Sequence, residues 1–108
     1  MSKRTYSPIT QSALQLFSQL IALKRRERGL TQQNLAERLG VTRGTLRRLE
    51  AGDPKCEIGL FFELAYLLGI HLFDAPERYQ SLAISIQDKL AVLPTRVQKT
   101  RQEVDNDF

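Results

Sequence analysis

Apolar residues recur at intervals of three and four along most of this chain, the spacing that turns one face of a helix toward a core. Ala13, Leu14, Leu16, Phe17, Leu20, Ile21 and Leu23 predict a first amphipathic helix from about Thr10 to Arg28, ended by Gly29. Thr31 is a favourable N-cap for a short second helix, in which Leu35, Ala36 and Leu39 share a side and which Gly40 stops. Thr42 caps a third, with Leu46 and Leu49 as core and Thr45 half facing inward. The segment AGDPKCEIG carries glycines and the restricted Asp53-Pro54 pair, so it reads as a loop. Leu60, Phe61, Leu64, Ala65 and Leu68 then predict a fourth helix closed by Gly69. A fifth, from about Pro76, carries Tyr79, Leu82, Ala83, Ile86, Leu90 and Leu93 at helical spacing until Pro94 interrupts or ends it.

At most three residues join the second and third helices. So tight a turn makes them cross at a large angle instead of stacking antiparallel, the geometry of a helix-turn-helix. Charge sharpens this picture. The chain has 16 Lys+Arg against 12 Asp+Glu, a formal charge of +4. Between Lys24 and Arg48 stand eight basic residues (Lys24, Arg25, Arg26, Arg28, Arg38, Arg43, Arg47 and Arg48) and only Glu27 and Glu37 as acids. That local excess of +6 exceeds the charge of the whole protein and leaves the remainder at −2, the distribution expected of a nucleic-acid face.

In such a motif the second helix lies in the major groove and offers its N-terminal side chains to base edges. Arg43 is the foremost base-reading candidate, because a guanidinium can donate two parallel bonds to guanine O6 and N7. Arg48 is the second, and Arg47 reaches either a base or a phosphate. Gly44 sits in the first turn of that helix, where glycine costs helix propensity but admits close approach of DNA. Gln32 and Thr42, each at a helix start beside free backbone N–H groups, are phosphate candidates, as is Thr45. Lys24, Arg25 and Arg28 are expected to contact phosphates and to set salt dependence more than sequence preference.

A length of 108 residues with 42% of them hydrophobic suits one domain with a real core and excludes a multi-domain enzyme. The single Cys56 and single His71 exclude a disulfide scaffold and a closed zinc site. His71 lies between Ile70 and Leu72 with no nucleophile or carboxylate placed to work with it. Gly40 and Gly44 lack the lysine and strand of a phosphate-binding loop. Catalysis, metal and cofactor are therefore not expected. No apolar run long enough to span a bilayer occurs, and the start MSKRTYSPITQS has no secretory core. A cytoplasmic protein without membrane contact, nucleoid-associated when on DNA, is expected.

The stretch LKRRERGLTQQNLAERLGVTRGTLRRLEAGDP, residues 23–54, resembles the Cro/C1-type (Xre) helix-turn-helix family. The likeness is carried by Leu23 with Arg26, Leu30-Thr31-Gln32, Leu35-Ala36, Gly40-Val41-Thr42, Thr45-Leu46, and Leu49-Glu50 followed by Gly52. It implies an all-α, five-helix lambda-repressor-like domain over about residues 10–73, with a flexible arm (1–9), an additional C-terminal helix (74–94) and a charged tail (95–108). It also implies that Gln32 contacts phosphate, that Arg43, Gly44 and Arg48 face bases, and that Glu50 pairs with a basic residue of the scaffold. Glycine at 44 departs from the polar base reader that often stands there.

A narrower resemblance comes from GDPKCEIGLFFELAYLLGI with the late LPTRVQKTRQEVDNDF, which is similar to the HipB-like repressor-antitoxins encoded beside HipA-like serine/threonine kinases. It implies an antitoxin that represses its own operon and joins the kinase toxin. An ordinary Xre-type repressor, and a protein-interaction module with little DNA role, are the competing readings. The stripe Tyr79, Leu82, Ala83, Ile86, Leu90 and Leu93 exceeds what such a domain needs. It is either added packing or a surface for a partner, most simply a two-fold homodimer contact that sets two recognition helices about 34 Å apart on a palindromic double-stranded operator.

Overall fold

The computed structural model describes residues 5–95. Expectations for the first four residues and for the tail beyond Thr95 lie outside them. Among the described residues there are five α-helices and no strand, the all-α fold that the apolar spacing predicts: α1 (Pro8–Glu27), α2 (Gln32–Leu39), α3 (Arg43–Glu50), α4 (Ile58–Leu68) and α5 (Tyr79–Ala91). The chain divides into two compact units, residues 1–72 with the first four helices and residues 73–108 with the fifth.

Local chemistry sets the helix starts. The Ser7 side chain accepts from the Thr10 amide at 3.2 Å, and Pro8 occupies the first turn, where its missing N–H costs nothing. α1 thus begins two residues before the start that its apolar spacing predicts, since neither cap nor proline contributes to that spacing. At α2, Thr31 Oγ1 accepts from the Asn34 amide (3.0 Å) while Asn34 Oδ1 accepts from the Thr31 amide (3.3 Å), a reciprocal capping box. Thr42 Oγ1 accepts from the Thr45 amide at 3.1 Å and starts α3. Only residues 40–42 separate α2 from α3.

Ile21, Leu35, Ala36, Leu46, Leu49, Phe61, Leu64, Ala65, Leu68 and Ile70 form the buried core of the first unit. The Phe17 and Phe61 rings meet at its edge, 5.5 Å between centroids. One buried polar contact locks α1 to α3: Ser18 Oγ donates to the Leu49 carbonyl at 2.8 Å. Gly52 makes that approach possible. Its φ of +77° lies in the left-handed region, and a Cβ there would stand 3.3 Å from both the Leu14 carbonyl oxygen and Ser18 Oγ.

In the second unit, Asp74 Oδ1 accepts from the Ala75 amide (2.7 Å) and Oδ2 from Arg78 Nη1 (2.8 Å). A 3-10 turn, Pro76–Arg78, leads into α5, so the helix expected from Pro76 is α-helical only from Tyr79. No side chain of α5 is buried, and Phe73, Tyr79, Leu82, Ala83 and Ile86 line an open apolar groove.

Candidate nucleic-acid interface

The phase of α3 follows from its two buried leucines. At about 100° per residue, Leu46 and Leu49 turn inward, and Arg43, Arg47, Gly44 and Arg48 occupy the opposite arc of about 140°. The structure agrees: Leu46 and Leu49 are fully buried, and those four residues are exposed. Arg43 and Arg47 lie one turn apart on the outward side. Arg48 is also outward, its side chain 62% exposed, and Asp53 Oδ2 stands 4.0 Å from its Nε. Asp53, which the reading of residues 24–48 passed over, thus tempers the positive charge at the C-terminal end of α3.

Gly44 is not required by its own backbone. Its φ is not positive, and an added Cβ would meet only Thr42 Oγ1, at an ordinary 3.8 Å. Gly44→Ala is therefore expected to stabilise the folded protein by up to about 1 kcal/mol through helix propensity, seen as a higher urea midpoint at unchanged slope.

The first turn of α2 is held from below by a buried ion pair. Arg25 Nε donates to Glu50 Oε2 at 2.7 Å and its Nη2 to Oε1 at 3.2 Å, while Nη1 donates to the Leu30 carbonyl at 2.8 Å. The two side chains are only 8% and 7% exposed. This supplies the basic scaffold partner that the family resemblance implies for Glu50, and it corrects the expectation for Arg25. Arg25 is not placed to contact phosphate, because its side chain is only 8% exposed and each of its guanidinium nitrogens already donates to Glu50 or to the Leu30 carbonyl. Gln32 is half-buried beside this pair and donates Nε2 to Glu50 Oε1 at 3.1 Å, which orients its amide at the start of α2.

The other expected phosphate residues are arranged less uniformly. Thr42 is exposed but its hydroxyl serves as the α3 cap, and Thr45 is half-buried with its Oγ1 3.1 Å from that of Thr42. Lys24 lies on α1, 3.7 Å from Glu27. Arg28 is exposed, and its Nη1 donates to the Leu67 carbonyl at 3.0 Å, so it closes the end of α4. Taken from Lys24 to Asp53, eight basic residues face four acidic ones, and one of those basic groups is buried. The accessible charge consequently concentrates on α3 and on Arg26, Arg28 and Arg38, all exposed.

Of the stripe expected on the fifth helix, Tyr79, Leu82, Ala83, Ile86 and Leu90 lie on α5, with Leu82 half-buried and the others exposed, whereas the helix ends at Ala91 and the exposed Leu93 lies beyond it. Among the described residues no group of three His, Cys, Asp or Glu side chains could hold a metal ion, and no helix is long and apolar enough to cross a membrane.

Comparison with known proteins agrees with this geometry. A helix-turn-helix family model matches residues 21–74, from the middle of α1 through α4. An uncharacterized HTH-type transcriptional regulator of Methanothermobacter thermautotrophicus is 48% identical over 50 residues, which cover 46% of this chain and 72% of that protein. No solved structure matches the chain. With the tight α2–α3 turn, the buried leucines and the outward arginines in place, the chain belongs to the helix-turn-helix family of transcriptional regulators.

Proposed function

We propose that the protein is a sequence-specific transcriptional repressor that lays α3 in the major groove of a palindromic operator as a homodimer. The observation that carries this reading is the exposed arc of Arg43, Arg47, Gly44 and Arg48 directly opposite the buried Leu46 and Leu49. Arg43 and Arg48 read base edges, Arg47 a base or a phosphate, and Gly44 leaves room for the groove wall. Gln32 and the free amides of the first α2 turn hold a phosphate, with Thr42 and Thr45 at the start of α3, and Lys24 and Arg28 add weaker contacts.

Salt-titrated binding to the DNA upstream of the gene tests this. Arg43→Ala is expected to cost about 1 to 3 kcal/mol on the operator and to relax specificity at one base pair, whereas Lys24→Ala weakens all duplexes alike. Equal affinity for operator and random duplex refutes the repressor reading.

A protein partner is a second reading, favoured by the exposed apolar face of α5. An isolated helix of about this length is only marginally stable in water, so burial of Tyr79, Ile86 and Leu90 against another surface supports it. The narrower resemblance of residues 52–70 makes a HipA-like kinase the partner to test, and the protein its antitoxin. Copurification with a kinase encoded beside the gene supports that role. An ordinary Xre-type repressor, which needs no such partner, is the reading that the family membership favours.

A further inference from the structure

α1 carries two apolar stripes, and only one of them enters the core. Leu14, Phe17, Ser18, Ile21 and Arg25 face inward, buried or half-buried. Ile9, Ala13, Leu16, Leu20 and Leu23 form a second stripe at alternating steps of four and three, the spacing that seals two helices along a seam. Leu20 is half-buried on the core's edge, but Ile9 is 78%, Leu16 67% and Leu23 51% exposed. The stretch from Thr5 to Leu23 contains no charged residue, in a chain that is 26% charged. The outer flanks of the stripe are Ser12, Gln15, Gln19 and Ala22.

We propose that this outer stripe of α1 is the docking surface for a second copy of the chain, the two α1 helices packing antiparallel. Charge selects both the occupant and the direction. Two copies of a chain of net charge +4 repel one another wherever basic surfaces meet, and the outer face of α1 is neutral over about four turns. A strongly charged partner would find no complement there, and the charged segment from Thr95 to Phe108 is unsuited to cover it. The basic residues of α1 lie at its C-terminal end, Lys24 and Arg26 among them. A parallel pair would bring those ends together. An antiparallel pair separates them and sets each beside the uncharged N-terminal turn of its partner, with the helix dipoles opposed.

The proposal deepens the homodimer part of the repressor reading by naming its surface, and it is tested without DNA. By sedimentation equilibrium the full chain is expected to dimerise, and a Leu16→Glu, Leu23→Glu variant to associate on the order of a hundredfold more weakly, with unchanged helicity and with the wild-type thermal midpoint at a concentration where both are monomeric. In a Cys56→Ser background, Leu16→Cys lies mid-stripe and is expected to cross-link two copies on oxidation. Ile9→Cys is not expected to, because in an antiparallel pair its two copies stand at opposite ends of the seam. Cross-linking through Ile9→Cys overturns the antiparallel arrangement. A wild-type monomer, or a dimer that the double glutamate variant leaves intact, overturns the surface. A large fall in thermal midpoint in that variant at a concentration where the wild type is itself monomeric overturns it as well, showing that the stripe is covered by another part of the same chain. Failure of the repressor reading shows separately, as loss of operator preference in a protein that still dimerises through α1.

Discussion

Replacing Glu50 with alanine is expected to remove about 3 to 5 kcal/mol of folding stability, a large share of what a domain of this size has. The cost does not come from losing an attractive pair as such. Both partners are more than nine-tenths buried, and without the carboxylate the Arg25 guanidinium keeps only the Leu30 carbonyl as acceptor while still out of water. Urea unfolding checks this, and a loss below about 1 kcal/mol would mean that water reaches the pair after all. A double variant, Arg25→Met with Glu50→Leu, is expected to recover most of the stability because it removes both charges together. It is not expected to recover DNA binding to the same extent. Gln32 donates to the same carboxylate, so the apolar replacement leaves the fold standing and the start of α2 without the group that orients its amide.

The triple variant Arg43→Ala, Arg47→Ala, Arg48→Ala is expected to lower operator affinity on the order of a hundredfold or more and to flatten its dependence on salt. Stability should barely change. All three side chains are exposed, Leu46 and Leu49 are untouched, and the ion pair given up, Arg48 with Asp53 at 4.0 Å, is a loose surface contact. The variant also separates the surfaces of the molecule. If a protein partner binds the α5 face, its capture persists while operator binding is lost. If operator binding also persists, the outward arc of α3 is not the DNA-reading face.

Both expectations rest on features that differ in how openly the sequence displays them. The outward arginines of α3 are legible because Leu46 and Leu49 set the phase of an eight-residue helix with no other apolar residue to confuse it. The caps Thr31 and Thr42 are legible for a similar reason, since each acts on an amide three residues away. The Arg25–Glu50 pair is not, because its partners are 25 residues apart. One arginine among Arg25, Arg26 and Arg28 had to be the inward one, and spacing within α1 does not single it out. Counting Arg25 with Lys24 and Arg28 as a phosphate contact overstates the accessible positive charge, since the Arg25 side chain is only 8% exposed. Asp53, a loop residue beside a proline, offers no sequence signal that it stands near Arg48.

α1 shows the same division within one helix. Ala13, Leu14, Leu16, Phe17, Leu20, Ile21 and Leu23 read as a single apolar face, yet the structure divides them between the core and the outside. The sequence by itself determined which segments are helical, how α2 and α3 are capped, and which side of α3 carries the arginines, because these depend on periodicity and on hydrogen bonds spanning three or four residues. Only the tertiary structure decided which stripe of α1 meets α3 and α4, which arginine is consumed inside, and which carboxylate holds Gln32. Those outcomes depend on where one helix lies against another, and the spacing of residues along a helix records which side chains share a face but not what that face meets.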